Sequence, residues 1–377
     1  MSTPENTLWR LRPHTRVKHL ILRRYLEAWL PIMARFQQKI LYVDGFAGPG
    51  RYIGGEEGSP LIALRTLLTH SAFKTPGNRE VEFLFVEGNE LRATFLATQL
   101  KEFTKEIPPP PWVKYTVAQG EFHRVIGEKL DQIARSGASF PPTFAFVDPF
   151  GYARVPLEVI AGIVRQRHCE CLINFMFKWI LRAGRRREAR VHEQLDNYFD
   201  SPDWRLAFKE ADPPHRRDAL VNLYRHQLET RAGLRYVRTF VMIDKLNQPR
   251  YFLFFGTNNP KGLSEMKRAM WKADPGRGEV FSDRTDPQQM VLFGSRPDFG
   301  ALGRLLVRRF KPSGPVTIDE IIKFVRDETP FSEVSHLKAQ TLKPLEVATP
   351  SVIEVQRPPG AQQRVGTYPS GTIIQFR

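Results

Sequence analysis

The sequence predicts an α/β protein: a mostly parallel sheet covered by helices, followed by a small domain of three helices and a β-hairpin. Five short runs rich in β-branched and aromatic residues alternate with amphipathic helical stretches, which is typical of a parallel sheet. The next two β-rich runs are joined only by residues 244–250, a connection too short for a parallel crossover, so an antiparallel pair ends the sheet. From Pro297 the pattern changes to three helices and two β runs.

Composition limits the classes of protein to consider. The 377 residues carry 56 Lys and Arg against 40 Asp and Glu, a net charge of +16, which favours a polyanionic partner such as nucleic acid. A hydrophobic fraction of 41% with 27 Phe excludes a chain that is disordered throughout. The only cysteines, Cys169 and Cys171, cannot build a disulfide scaffold or a four-cysteine zinc site, and alternation along a strand would place both on one face. Without a secretory signal or a run of about 20 apolar residues, we expect a soluble cytoplasmic protein.

The first two predicted regions are a helical lead-in, residues 1–38, and a sheet domain, residues 39–295. In the lead-in, apolar residues recur at spacings of three and four, with Pro31 as a bend or restart: Leu22, Leu26, Trp29 and Met33. In the sheet domain, strands are expected at 39–45, 81–87, 112–117, 143–148, 170–177, 236–243 and 251–256. Helices are expected from Pro60, with Ser59 as N-cap, at 90–103, 122–135 and 156–167, and in an insertion at about 185–233.

The third region, residues 296–377, has the layout of a winged helix. A basic helix at 299–310 precedes a capping box at Thr317–Glu320, a helix to about residue 329, and a third helix, 333–343, capped by Ser332. Two β runs, 351–356 and 372–376, follow. The third helix would present these groups to a nucleic-acid groove: His336, Lys338, Gln340, Thr341 and Lys343. Docking of a protein is an equally open role for such a domain.

Four successive strand ends carry glycine or a carboxylate, at the edge where open α/β sheets bind ligands. The first is the run Asp44-Gly45-Phe46-Ala47-Gly48-Pro49-Gly50, whose glycines let a ligand approach the backbone. Glu87 could accept hydrogen bonds from both hydroxyls of a ribose. Glu121 would lie near an adenine amino group, and Asp148-Pro149-Phe150-Gly151 ends the fourth strand. Together these ends indicate a nucleotide-type ligand, although a plain tight turn is the alternative at each of them.

Over residues 39–259, this succession of strands and strand-end motifs resembles that of a class I S-adenosylmethionine-dependent methyltransferase, which has a Rossmann-like sheet. The resemblance implies that S-adenosylmethionine is held by a first motif made of Asp44, Gly45, Phe46, Ala47, Gly48 and Gly50. It further implies that Glu87 binds the ribose, that Glu121 contacts the adenine, and that Asp148 lies beside the transferred methyl group. If the acceptor is a base amine, Asp148 and the carbonyl of Pro149 would accept its hydrogen bonds, while Phe150 stacks on the extruded base.

A more specific resemblance is to the bacterial and phage three-Cys-motif partner proteins. It is carried by Lys18-His19 with Tyr25 and Trp29, by 42–50, by Gly58-Ser59-Pro60 and by 147–151. It implies a neighbouring partner protein with a three-cysteine, radical S-adenosylmethionine-like motif. Two features depart from the general methyltransferase pattern. Residues 51–58 intervene before the first helix, and Asp-Pro-Phe-Gly replaces the Asp/Asn-Pro-Pro-aromatic of amino methyltransferases, resembling the guanine-N2 tRNA dimethyltransferases instead.

Three functions remain open from the sequence. The leading one is a methyltransferase acting on nucleic acid, whose phosphates would be neutralised by basic groups that include Arg185, Arg186, Arg187, Arg308, Arg309, Lys338 and Lys343. The second is a non-catalytic adaptor that keeps the fold and docks the three-Cys-motif protein, nucleic acid or both. The third is a nicotinamide-dependent oxidoreductase, which the terminal hairpin and the missing helix start at the last glycine disfavour.

Overall fold

The computed structural model describes residues 7–73, 79–151, 155–244, 246–282 and 297–377, which form two compact units. The first unit contains the described residues up to Asn259, together with Phe281 and Ser282. The second contains Pro260–Val280 and residues 297–377. Residues 260–280 therefore group with the C-terminal part, whereas the sequence places the boundary between 295 and 296.

The sheet of the first unit has eight strands in the order β3-β2-β1-β4-β5-β7-β6-β8. They are β1 (Lys39–Asp44), β2 (Glu80–Glu87), β3 (Val113–Gln119), β4 (Thr143–Val147), β5 (Glu170–Phe175), β6 (Tyr236–Ile243), β7 (Pro249–Thr257) and β8 (Val280–Ser282). Strands β1 to β5 pair in parallel, while β7 is antiparallel to both β5 and β6. The predicted parallel sheet and its terminal hairpin are confirmed. The strand order reverses between β1 and β4, which makes their carboxyl ends the expected ligand site.

Helices precede, connect and follow the parallel strands. They are α1 (Pro13–Phe36), α2 (Ser59–Thr69), α3 (Glu90–Glu106), α4 (Phe122–Ser136), α5 (Leu157–Val164), α6 (Phe177–Ala183), α7 (Ala189–Phe199), α8 (Trp204–Ala207) and α9 (Pro213–Thr230). The role predicted for Ser59 is wrong. Helix α2 begins at Ser59 after Gly58 as N-cap, with no side-chain cap, and the Ser59 hydroxyl bonds to the Asp44 carboxylate instead.

A buried carboxylate joins α1 to the sheet. Glu170, at the start of β5, accepts a hydrogen bond from the Tyr25 hydroxyl of α1 and one of 2.5 Å from Thr257 of β7. Burial raises the pKa of Glu170, while these two hydrogen bonds act in the opposite direction. Cys169 and Cys171 beside it are free and buried, as core residues of the sheet. Helix α1 is therefore held to the sheet of the first unit by buried hydrogen bonds.

The second unit combines helices with a three-stranded antiparallel sheet ordered β10-β11-β9. Its elements are α10 (Pro260–Ala273), α11 (Phe299–Phe310), β9 (Val316–Thr317), α12 (Ile318–Glu328), a π-helix (Glu333–Leu342), α13 (Lys343–Val347), β10 (Ile353–Gln356) and β11 (Ile373–Phe376). The predicted capping box is confirmed: Thr317 caps α12 and Glu320 bonds back to its N–H. Among the residues with described coordinates, no helix is long and apolar enough to cross a membrane.

Two residues expected to face a groove are instead part of this unit's core. The ring of His336 packs 4.3 Å from that of Trp271 on α10, and its Nδ1 accepts the Ser332 N–H. Thr341 is also buried, its hydroxyl bonded to the His336 carbonyl. The prediction failed because no helix was predicted for residues 260–273, which form α10, and because an ordinary α-helical period was expected for residues 333–343. In a π-helix the period is longer, and different residues face outward.

Candidate functional site

Asp44 ends β1 at the switch point and lies fully buried. Its Oδ1 accepts the Phe46 N–H at 3.4 Å, and the Ser59 hydroxyl also bonds to the carboxylate. Within the described ranges, neither Oδ2 nor the Tyr42 hydroxyl, which also interacts with this carboxyl group, completes a well-formed hydrogen bond. Burial raises the pKa of Asp44 to about 7, against the lowering effect of the Ser59 bond. Such an unpaired buried oxygen is costly and calls for a functional or structural reason.

The glycine-rich turn after Asp44 is tightly built into the edge of the sheet. A Cβ on Gly45 would lie 2.6 Å from the ring of Phe122, which also packs on Phe46, so Gly45 is required by the protein's own core. Gly50 has φ +80° and would place a Cβ 2.7 Å from Leu96. Ala47 is held to the neighbouring strand through the Val86 carbonyl. The open side of the turn therefore lies at Gly48.

Glu87 ends β2 and is held by backbone groups on both oxygens. Its Oε2 accepts the Gly48 N–H at 2.9 Å, and Oε1 accepts the Asn89 N–H at 2.8 Å. The guanidinium of Arg92 lies 3.6 Å from Oε1, and both side chains are more than nine-tenths buried. The carboxylate is thereby oriented, with lone pairs left for further donors, since each oxygen can accept twice.

Asp148 follows β4 and is held on both oxygens by side chains. Lys18 of α1, itself buried, forms a partly buried ion pair with Oδ2, and Asn174 at the end of β5 donates to Oδ1 at 2.6 Å. The Asn174 Oδ1 is buried and has no partner in the described part of the chain. Asp148 also raises the pKa of Asp44, as expected for two carboxylates close together. Beyond Asp148, Pro149 is buried and Phe150 is half exposed.

Glu121, which follows β3, interacts less closely with the other three carboxylates of this edge. Glu121 precedes α4 with about a third of its side chain exposed, and its carboxylate lies 3.6 Å from His123 and 3.9 Å from Arg124. Its neighbour Gly120 bonds through its N–H to the Glu87 carbonyl at 3.0 Å. The structure thus brings Asp44 and Asp148 together, ties Glu87 to Gly48, and leaves Glu121 on the rim.

One participant that sequence reasoning missed is Trp9, in the irregular segment before α1. Its ring lies 3.6 Å from the position of a Cβ on Gly48 and 5.4 Å from the ring of Phe150, edge to face. The Arg92 guanidinium lies 5.7 Å from it. An indole of this chain thus covers the open side of the turn. A single Trp among basic residues carries no pattern that would have predicted this contact.

The basic residues proposed to meet phosphates lie in both units. Arg185, Arg186 and Arg187 are exposed between α6 and α7 of the first unit. In the second unit, Arg308 and Arg309 are exposed in the last turn of α11, and Lys343 is exposed at the start of α13. Lys338 is less available, because its ammonium donates to the Tyr368 carbonyl at 2.7 Å.

The strand order defines a Rossmann-like, mostly parallel sheet with an antiparallel hairpin at one side and carboxylates at the carboxyl ends of its strands. No family model and no curated protein matches the sequence. Solved structures that align with it include a protein of Porphyromonas gingivalis W83 described as a proposed methyltransferase, at 13% identity and a TM-score of 0.27, over 60% of this chain and 39% of that one. This chain thus spans well under half of that protein.

Two further structures align with more of their own length. Precorrin-6y C5,15-methyltransferase of Geobacter metallireducens GS-15 aligns at 9% identity and a TM-score of 0.26, over 62% of this chain and 87% of that one. The methyltransferase domain of bacterial CtHen1-C aligns at 10% identity and a TM-score of 0.31, over 65% and 98%. Similarity at this level assigns neither a substrate nor a reaction to this chain.

Proposed function

We propose that this protein is an S-adenosylmethionine-dependent methyltransferase. The observation that carries the proposal is the unpaired, fully buried Oδ2 of Asp44 at the switch point of the sheet. An acceptor oxygen in that position suits the ammonium group of the donor's methionine moiety, whose positive charge would favour the ionised form of this carboxyl group. Glu87, already oriented by two N–H groups, would accept from the ribose hydroxyls, and Glu121 would accept from the adenine amino group. The residues present fit this cofactor once the indole of Trp9 leaves Gly48.

The bound cofactor would supply an activated methyl group, so the protein's task is to position the acceptor and receive one proton. Lys18 and Asn174 hold the Asp148 carboxylate in one orientation at the end of β4. The carbonyl of Pro149 follows it, and the half-exposed ring of Phe150 offers a face on which a base can stack. The acceptor that suits this arrangement is an exocyclic base amine, whose N–H groups Asp148 and the Pro149 carbonyl would accept.

A nucleic-acid substrate is supported by charge. The net charge of +16 for the whole chain favours a polyanionic substrate, and the exposed arginines of the loop before α7 would offer phosphate contacts in the first unit. The helices and small antiparallel sheet of the second unit suit a winged-helix role, with Arg308, Arg309 and Lys343 exposed. We propose that a three-Cys-motif, radical S-adenosylmethionine-like protein is the functional partner, on the strength of the sequence resemblance.

Trp9 favours a second candidate function, that of a non-catalytic adaptor. Its ring occupies the open side of the glycine turn, as expected if the fold has lost its cofactor. In that case the partner protein or nucleic acid would bind the surface without methyl transfer. Retention of a stable complex by Asp148→Asn, with no methyl acceptor among RNA, DNA and protein, would support the adaptor.

Calorimetry with S-adenosylmethionine tests the enzymatic proposal. We expect binding by the parent protein and loss of about tenfold or more in affinity for Asp44→Asn, which keeps the shape of the side chain but removes its charge. Glu128→Gln, at an exposed carboxylate on α4, is the matched control and should bind like the parent. No heat with the parent at millimolar ligand would contradict the proposal.

The acceptor is tested separately with labelled donor and pools of RNA, DNA and protein. We expect label in a nucleic acid, with Asp148→Asn reducing transfer more than donor binding. Replacing Arg185, Arg186 and Arg187 together by Ala should weaken substrate binding and flatten its dependence on salt, because fewer counterions are released. Label in protein alone would contradict a nucleic-acid substrate.

A further inference from the structure

The geometry at the carboxyl edge points to a slot for a planar heteroaromatic ring, formed by Gly48, Tyr52, Arg92 and Phe150 and filled by the chain's own Trp9. We propose that the adenine ring of the methyl donor enters this slot and displaces Trp9. The inference rests on the proposed function. It adds two residues to the donor site, Tyr52 and Arg92, that no sequence motif marked, and makes Trp9 the occupant of that site when the donor is absent.

The walls of the slot are suited to a flat ring. Phe150 meets the indole edge to face at 5.4 Å and Tyr52 does so at 6.2 Å, with interplanar angles of 87° and 86°. Arg92 contributes a guanidinium 5.7 Å from the indole ring. Edge-to-face aromatic contacts and cation–π contacts depend on a π-face rather than on one pattern of hydrogen bonds, so a purine can replace an indole in this position.

The slot also has the right neighbours for an adenosine. Arg92 pairs with Glu87, the carboxylate that would bind the ribose, at 3.6 Å. Gly48, which the indole covers, donates to the same carboxylate. An adenine ring in the slot would therefore lie beside Glu87, the carboxylate that would accept the hydroxyls of the attached ribose. This position favours the donor's adenine over the target base, which the Asp148 side of the edge would receive.

Trp9 can leave the slot without unfolding the first unit. The segment 7–12 forms no helix or strand, and the Trp9 carbonyl accepts one backbone hydrogen bond, from Ile53 at 3.1 Å. Helix α1, which follows, is held independently by Tyr25 on Glu170 and by Lys18 on Asp148. Residues 7–12 can therefore move Trp9 out of the slot while helix α1 keeps its position.

The consequence is competition between Trp9 and the donor. When the open form is a minor population, the apparent affinity for ligand falls in proportion to that population. Removing the indole removes the competitor but leaves Asp44 and Glu87 in place. A tryptophan that instead forms a permanent wall of the site would have the opposite effect, because its removal would cost contacts with the bound ring.

The test is titration of the full-length protein with S-adenosylhomocysteine, comparing the parent with Trp9→Ala and, as matched control, the neighbouring Arg10→Ala. We expect Trp9→Ala to bind about tenfold tighter and Arg10→Ala to bind like the parent. The fluorescence of Trp9, obtained as the difference between the parent and Trp9→Phe, should shift to the red on binding as the indole enters water. Circular dichroism confirms that each variant is folded.

Distinct results overturn distinct claims. Equal or weaker binding by Trp9→Ala, with a parent that binds, overturns the displacement and leaves the proposed function standing. Absence of binding by the parent and by Trp9→Ala overturns both. A parallel titration with a short oligonucleotide separates the two sources of a purine: tighter binding of the oligonucleotide alone by Trp9→Ala overturns the assignment of the slot to the donor.

Discussion

Replacement of Asp44 by Asn should change how the stability of the first unit depends on pH. Burial raises the pKa of Asp44 from 3.8 to about 7, so the native protein keeps this proton at pH values where the unfolded chain has lost it. Stability should therefore fall as pH rises between about 4 and 7, because the native state binds more protons than the unfolded state there. Across this whole window the loss amounts to about 4 kcal/mol.

The measurement is urea unfolding of the parent and of Asp44→Asn at about pH 5 and about pH 8. Between these values the parent should lose about 2.5 kcal/mol more than the variant, since part of the window lies below pH 5. Glu128→Gln, exposed on α4, should follow the parent. An Asp44→Asn variant with the same pH dependence as the parent would refute the assignment of a protonated, buried carboxyl group to this position.

Three further sets of variants test the packing around the site and the second unit. Lys18→Met should cost about 3 kcal/mol in urea unfolding by leaving Asp148 unpaired, and adding Asp148→Asn should recover part of that loss; equal stability of the single and double variants would argue against the ion pair. Gly55→Ala, at φ +84° in open space, should cost about 1 kcal/mol from backbone strain, and Gly50→Ala should cost more because a methyl of Leu96 must also move; the reverse order would contradict the described turn. Thr317→Ala should lower the stability of the second unit by about 1 kcal/mol through loss of the capping box, and an unchanged thermal midpoint would count against that cap.

Local patterns predicted most elements to within a few residues. The alternation of β-rich runs and amphipathic stretches is a property of neighbouring residues, and it placed the five parallel strands and the hairpin between β6 and β7. Capping is equally local, which explains the success at Thr317. At Ser59 the same rule failed, because a carboxylate from another strand offered its hydroxyl a better partner than the helix end.

In the candidate site, too, the features set by neighbouring residues were predicted and those set by distant residues were not. Chain position alone placed Asp44, Glu87 and Asp148 at one edge, since parallel strands all end on the same side of a sheet. It did not show that Glu87 is held by Gly48 or that Asp148 is held by Lys18, because those partners are distant in sequence. Nor did it show His336 buried against Trp271, which lies on a helix that was not predicted and within the range assigned to the sheet domain.

The sequence by itself determined the class of fold, the order of its elements and the edge at which we expect a ligand, because each depends on periodicity and on the direction of the chain. Only the tertiary structure decided which carboxylates are paired, which oxygen of Asp44 is left without a partner, and that Trp9 fills the space beside Gly48. Those facts depend on contacts between residues far apart in the chain, where the energy of burial and pairing outweighs local preference.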